Sequence, residues 1–289
     1  MAEIPQFLRV AGRSVAVAAT WVSGQAVGAY RSIDPDVPRH LAQVPLLAYA
    51  FLVPREAPIT VGKSDGHAPL VFVHGLGAQR GCFLPMAGYL WLRGRRRRYS
   101  IDLSRGRTVE AMARRLARYV DRVVAKTGEP QVDLIAHSLG GVVARLALAD
   151  HGLAPKVRTL ITLGSPHHGT WTARYGAGTT TRALRPDSPL MRRLARSPLP
   201  DGVRAVSFWS KSDVFILPAE SAVLEGAAAV EVTPFTHYSY LLLPQSWTQV
   251  ADALEPRTLG PLAERPSADR FGSSPHPATP LRASSTETH

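Results

Sequence analysis

Cysteine is nearly absent from this chain. Cys82 is the only one in 289 residues, so no intrachain disulfide can form, and the small scaffolds that depend on disulfides are excluded. Lysine is scarce too. Lys63, Lys126, Lys156 and Lys211 are the only four, so a formal charge of +12 is carried almost wholly by arginine. Aromatic residues make up 7% and do not interleave with the arginines, and no metal-finger spacing occurs. Those absences argue against a nucleic-acid-recognition sheet; composition bias and solvated faces are the leading account of the arginines, with anionic membranes or acidic substrates as the lesser one. Long apolar runs are missing as well. The stretch from Val44 to Val53 contains Pro45 and falls far short of the ~18 residues that span a bilayer, although peripheral attachment stays open. No internal repeat is present.

What is there suits a large folded domain with attachments at both ends. Hydrophobic residues are 45% and charged residues 19% of the chain, enough for a sizeable core. Residues 1–66 form an N-terminal extension. Arg9 and Arg13 precede a mildly apolar stretch from Val15 to Val22, and Glu3 and the interrupted apolar core favour an amphipathic helix over a cleaved signal. A cytoplasmic or membrane-peripheral location is expected, with secretion left open by the single cysteine. Residues 67–256 carry regular periodicity. From 257 to 289 proline, serine and threonine dominate, which predicts a disordered tail.

Within the regular part, short apolar runs alternate with helical patterns. Strands are expected at Pro69–His74, Tyr99–Leu103, Gln131–Ala136, Val157–Leu163, Val203–Ser210 and Ala229–Val232. Helices are expected at Phe83–Arg93, Val109–Lys126, Val142–Asp150 and Trp247–Leu254. The second of these is capped by Thr108, ended by Gly128, and striped with Met112, Leu116, Tyr119 or Val120, and Val123. This alternation predicts an α/β fold with a mostly parallel central sheet and helices on both faces. Residues 170–201, rich in Gly, Thr, Arg and Pro, break the rhythm and read as a cap-like insertion over the strand ends.

Ala136-His137-Ser138-Leu139-Gly140 follows an apolar strand and opens a helix. It is the Gly-x-Ser-x-Gly elbow with alanine at the first small position. So tight a turn leaves no room for large side chains two residues either side of the serine. Ser138 is the candidate nucleophile, with the amide of Leu139 as one oxyanion donor at a helix N-terminus. His74-Gly75-Leu76-Gly77 follows the first strand, and the amide of Leu76 is the candidate second donor. A serine hydroxyl needs a base, and the base needs a carboxylate. On a strand–elbow–helix scaffold the order is serine, acid, histidine. Asp213, after the fifth strand, and His237, before the last helix, satisfy it. Asp187 lies in the insertion, His167 and His168 precede the downstream acids, and His74 precedes the elbow, where it shapes the loop. Val142 and Trp171 are apolar candidates for contact with the acyl chain, along with the Leu76 and Leu139 side chains. Arg95 to Arg98 reads as a solvated loop before a strand, with a lipid-surface contact as the lesser reading.

Val71-Phe-Val-His-Gly-Leu-Gly77, Asp133-Leu-Ile-Ala-His-Ser-Leu-Gly-Gly141, Leu160-Ile-Thr-Leu-Gly164, Ser210-Lys-Ser-Asp213, Leu224-Glu-Gly226 and Thr236-His-Tyr-Ser-Tyr-Leu-Leu242 occur in this order from Pro69 to Leu254. As a set they resemble the bacterial triacylglycerol lipases and esterases of the α/β-hydrolase superfamily, especially the small, nearly lidless Bacillus type. Gly164-Ser-Pro-His-His-Gly169 is similar to a turn that borders the acyl pocket in related lipases. The resemblance implies the α/β-hydrolase fold, Ser138, His237 and Asp213 as a triad, and Leu76 and Leu139 as oxyanion donors. It implies no metal or organic cofactor. Expected partners are a lipid or small acyl-ester substrate, with no nucleic acid, and the chain is expected to act as a monomer. The first sixty or so residues and the length of the insertion depart from the small lipases. That departure favours short or medium acyl esters over bulky triglyceride. Phospholipase, thioesterase and polyester hydrolase activities use the same triad, and a non-catalytic lipid- or partner-binding module is the reading from another class.

Overall fold

The computed structural model describes residues 63–104 and 106–255. The amphipathic helix expected near the N-terminus, the apolar run Val44–Val53 and the tail expected from residue 257 lie outside the described residues.

Six strands, β1 (Leu70–Val73), β2 (Arg98–Ile101), β3 (Val132–His137), β4 (Val157–Leu163), β5 (Arg204–Trp209) and β6 (Ala228–Glu231), form one sheet in the order β2-β1-β3-β4-β5-β6. Every pairing is parallel. A parallel sheet is buried on both faces, and the central strands are accordingly rich in apolar residues, β1 without interruption. β1 and β3 are buried at every position. The chain steps outward from β1 to β2 and then returns past β1 to β3, so the winding reverses between β1 and β3. Such a reversal opens a crevice at the carboxyl ends of the two strands. Ser138 follows β3 and Gly75-Leu76 follows β1, so the topology alone brings the elbow and the loop after β1 to one place.

Alternate strand residues feed two cores. Val71, Val73, Leu134, Ala136 and Leu160 face α2 (Val109–Thr127) and α3 (Leu139–Asp150). Leu70, Phe72, Ile135, Ile161 and Val206 face α1 (Leu84–Leu92) and α7 (Pro244–Leu254). α2 shows how local signals and burial agree. The Thr108 hydroxyl accepts the Ala111 N–H at 3.2 Å, Gly128 ends the helix at φ 71°, and Met112, Leu116, Val120 and Val123 lie on its buried face. Replacing a fully buried leucine there by alanine costs about 2–5 kcal/mol, which makes Leu116 the single most telling substitution on that face.

Three local expectations are corrected. α3 begins at Leu139, directly after the serine, not at Val142. A four-residue helix, α6 (Ser239–Leu242), stands where none was expected. The Arg95–Arg98 stretch is not simply a solvated loop. Arg95 is buried and pairs with Asp133 at 3.2 Å, and Arg97 is buried and pairs with Asp65 at 3.3 Å and Glu129 at 2.9 Å. A buried guanidinium needs carboxylates to offset lost hydration, and these two have them. They are therefore not available to a lipid surface. The insertion is built from a 3₁₀ turn (Trp171–Arg174) and two short helices, α4 (Thr179–Ala183) and α5 (Pro189–Ala195).

Candidate active site

Ser138 has φ 53° and ψ −126° and is the one non-glycine among the described residues with positive φ. Such a conformation costs about 1–3 kcal/mol and persists only where the surroundings hold it. Here they do. Its N–H donates to the Leu163 carbonyl at 3.0 Å, and its own carbonyl accepts the Gly141 N–H at 3.0 Å. The small flanking residues have a direct cause. A Cβ on Gly140 would lie 2.3 Å from the Val73 carbonyl oxygen, and one on Gly141 would lie 2.2 Å from the Ser165 hydroxyl. The loop after β1 packs equally close, since a Cβ on Gly75 would come within 2.9 Å of the Ser138 Cβ. The structure thus brings Leu76, Ser138 and Leu139 together. Among the described residues neither the Leu76 nor the Leu139 amide has a hydrogen-bond acceptor. Both are left to receive a ligand, and Leu139 is the first residue of a helix, where orphan N–H groups and the dipole favour negative charge.

Asp213 and His237 arrive from opposite sides of the last strand. Asp213 closes the turn after β5, its N–H donating to the Ser210 carbonyl at 3.1 Å. Its carboxylate accepts the Phe215 N–H at 3.0 Å and lies 2.9 and 3.0 Å from His237 Nδ1. Both side chains are buried. A carboxylate only accepts, so Nδ1 carries the proton and Nε2 of the neutral ring keeps a free lone pair. The ring of His137, the residue before Ser138, lies 4.7 Å from the ring of His237, which sets this pair beside the elbow.

The rival residues are engaged elsewhere. His74 is buried, accepts the Leu103 N–H on Nε2 at 3.0 Å and donates from Nδ1 to the Gly75 carbonyl at 3.0 Å, so it braces the loop after β1. His167 is buried against the Thr162 hydroxyl at 3.1 Å, and burial together with the nearby Arg145 cation holds its pKa well below the usual histidine value. His168 Nε2 donates to the Val223 carbonyl at 3.2 Å. Asp187 is exposed and 3.6 Å from Arg174.

Among the residues expected at the acyl chain, Trp171 is half-exposed, with the Arg174 guanidinium 4.5 Å above its ring. The Trp171 N–H donates to Leu217, and the hydroxyls of Thr170 and Thr172 donate to the carbonyl of Phe215, whose ring lies 4.9 Å from that of His237. Val142 is corrected. It has no exposed surface and packs in the core that faces α2, so its side chain offers nothing to a ligand; Leu139 is buried in the same cluster, leaving only its amide. Leu76 is half-exposed.

Sequence reasoning missed Arg145 and His137. Arg145 lies on α3, buried, and donates to the His167 carbonyl at 3.0 Å and the Leu194 carbonyl at 2.6 Å. It fastens the insertion to the helix that follows the elbow, and burial pushes its pKa down to about 10, still charged at neutral pH. An arginine inside the apolar text of α3 was the available signal. Ser138 itself stays partly open to solvent.

The Alpha/beta hydrolase family matches residues 70–284 of the chain. Among solved structures, lipase B of Aspergillus fumigatus superposes with a TM-score of 0.61 at 19% identity, over 68% of this chain and 55% of that one. The mature lipase BlEst2 of Bacillus licheniformis gives 0.57 at 19% identity, over 68% of this chain and 96% of that one. Phospholipase PlaB of Legionella pneumophila gives 0.53 at 13% identity, over 66% and 60%. The chain spans about half the length of the Aspergillus protein. At these identities the likeness is one of fold.

Proposed function

This chain belongs to the alpha/beta hydrolase family, and from that premise we propose that it is a serine carboxylic ester hydrolase of the lipase and esterase kind. The observation that carries the reading is the Asp213–His237 pair, 2.9 Å apart and buried, set beside a strained Ser138 and two unoccupied backbone amides. Ser138 Oγ attacks the ester carbonyl carbon while His237 Nε2 takes its proton, and the C=O pair moves onto an oxygen held by the Leu76 and Leu139 amides. Each such donor is worth ~3 kcal/mol of barrier. The tetrahedral carbon then expels the alkoxide, which leaves as alcohol with the proton from His237. Water, deprotonated by the same histidine, attacks the acyl-serine, and the acid departs as Ser138 recovers its proton. Asp213 holds the Nδ1–H tautomer and steadies the imidazolium.

The substrate is a lipid or small acyl ester. The half-exposed side chains of Leu76 and Trp171 are its apolar contacts, and a membrane surface is the place from which a long-chain ester would come. The test is hydrolysis of p-nitrophenyl esters of graded chain length together with labelling by a fluorophosphonate. Ser138→Ala should remove labelling and lower kcat/KM by on the order of 10⁴-fold or more. Full activity in that variant would overturn the proposal. A preference for acyl thioesters over oxygen esters of equal length would move the assignment to a thioesterase on the same residues.

A further inference from the structure

His137 occupies the position of the elbow directly before the nucleophile, and its ring reaches across to the segment that carries His237. Its ring is buried, at 1% exposure. Nε2 lies 2.8 Å from the main-chain oxygen of His237, a hundred residues further along the chain. A carbonyl only accepts, so Nε2 carries the proton and His137 is the neutral Nε2–H tautomer. Nδ1 is then a bare lone pair, and it is buried without a hydrogen-bond partner. Burial, with the neighbouring His237 as the second cause, keeps the pKa well below the usual histidine value, in line with the neutral form. The ring also lies against His237 at 4.7 Å, and it neighbours Tyr238 at 5.9 Å and Tyr240 at 6.4 Å.

His237 needs this support. It stands in the irregular segment between β6 and α6, with Asp213 gripping its ring from one side. A side-chain bond fixes the direction of the imidazole, and the neighbouring bonds, Phe235 N–H to Val232 and Ser239 N–H to Thr236, are local, so none of them ties this segment to β3. We propose that His137 is a positioning residue that sets the register between Ser138 and His237 by holding the His237 carbonyl to β3, the strand that bears the serine. The inference rests on the proposed roles of Ser138 and His237. Only one peptide unit separates His137 from Ser138, so the bond ties nucleophile and base through a short, stiff path instead of through the whole sheet.

The chemistry narrows what can stand at this position. The group must donate to a carbonyl from within the core, so aliphatic side chains fail. It must be uncharged, because a cation 4.7 Å from His237 would oppose the imidazolium that forms during proton transfer. It must also be long enough. Glutamine places an amide N–H near the position of histidine Nε2, whereas asparagine falls short of it.

The test compares full-length His137→Gln, His137→Asn and His137→Met proteins with the native protein and Ser138→Ala on a soluble short-chain ester. Thermal unfolding is recorded in parallel. A misplacement of about 1 Å costs up to ~100-fold. His137→Met and His137→Asn should therefore lose about 10- to 100-fold in kcat, with KM within about two-fold and fluorophosphonate labelling slowed in step with kcat. His137→Gln should keep most of the native kcat. Native kcat in His137→Met, or a loss in His137→Gln as large as in His137→Asn, overturns the proposal. Should His137→Met fail to fold, the contrast between Gln and Asn still decides it. Retained hydrolysis in Ser138→Ala would instead overturn the assignment of the nucleophile, so the two failures are told apart.

Discussion

The carboxylate of Asp213 faces Nδ1 of His237 with both of its oxygens, at 2.9 and 3.0 Å, and neither residue is exposed by more than 4%. An acceptor so placed dictates the tautomer of the ring. Asp213→Asn would present an amide N–H to the same nitrogen and turn the proton to Nε2, where a base must have its lone pair. The expected result is a folded protein whose kcat falls by about 10³- to 10⁴-fold with little change in KM. Steady-state kinetics on a soluble ester, beside an unchanged circular dichroism spectrum, checks it; a fall of less than ten-fold would mean that another group orients His237.

Two glycines in helices should respond in opposite directions to the same change. Gly140 sits where an added methyl would meet the Val73 carbonyl oxygen at 2.3 Å and the His74 carbonyl oxygen at 2.9 Å, both in backbone that cannot step aside. Gly140→Ala should lose more than about 3 kcal/mol of stability or fail to accumulate. Gly88, exposed on α1, has nothing within 4 Å of an added Cβ and no positive φ. Gly88→Ala should gain about 0.5–1 kcal/mol from helix propensity. Urea unfolding of both variants provides the comparison.

Arg145 should resist even conservative replacement. Its guanidinium reaches the His167 and Leu194 carbonyls in two directions at once. Arg145→Met leaves the His167 carbonyl without a donor and the Leu194 carbonyl with only the Ser197 N–H, and an expected loss of about 2–4 kcal/mol follows. Arg145→Lys supplies one ammonium where a fork is needed and should recover less than half of that loss. Denaturant midpoints of the two variants measure it. Full recovery by lysine would show that charge, not the paired bonds, matters there.

Much of this was legible in the text of the chain, and the parts that were not share a cause. β4 runs over the residues expected, Val157–Leu163, because a run rich in β-branched and aliphatic residues between a turn and Gly164 leaves little choice. α2 was marked at both ends by Thr108 and Gly128. The nucleophile, acid and base were placed by order along the chain, and Asp213 and His237 do meet. The start of α3 was misplaced because Gly140 and Gly141 are poor helix formers. They are glycine because Val73, His74 and Ser165 leave no room for a side chain, which is a tertiary reason. Arg95 and Arg97 were misread for the same kind of reason. Their carboxylates, Asp133, Asp65 and Glu129, lie 30 or more residues away, beyond any local pattern. Val142 was set at the acyl chain because it follows the elbow, but the helix turns it into the core.

Buried histidines make stability depend on pH in one direction. Burial holds His137 and His167 well below their usual pKa, with the His237 and Arg145 charges as the respective second causes. In the unfolded chain both take up a proton near pH 6.5, whereas in the folded protein they stay neutral. Below about pH 6.5 the unfolded state therefore binds more protons than the native state, and the free energy of unfolding falls as pH falls, by about 1.4 kcal/mol per pH unit for each histidine. Above pH 7 the two contribute no slope. Asp65 and Asp102, whose pKa values are lowered below an already acidic carboxylate value, act only at lower pH and leave the interval from 6.5 to 5 to the histidines. Urea unfolding at half-unit steps from pH 7.5 to 5 should show a plateau and then a decline. His167→Gln keeps a polar group beside the Thr162 hydroxyl but cannot titrate; because burial and Arg145 also lower the pKa of His168, it should cut the slope of the decline by about a third to a half. An unchanged slope in that variant would mean that His167 is protonated in the folded protein, against its burial and the Arg145 cation beside it.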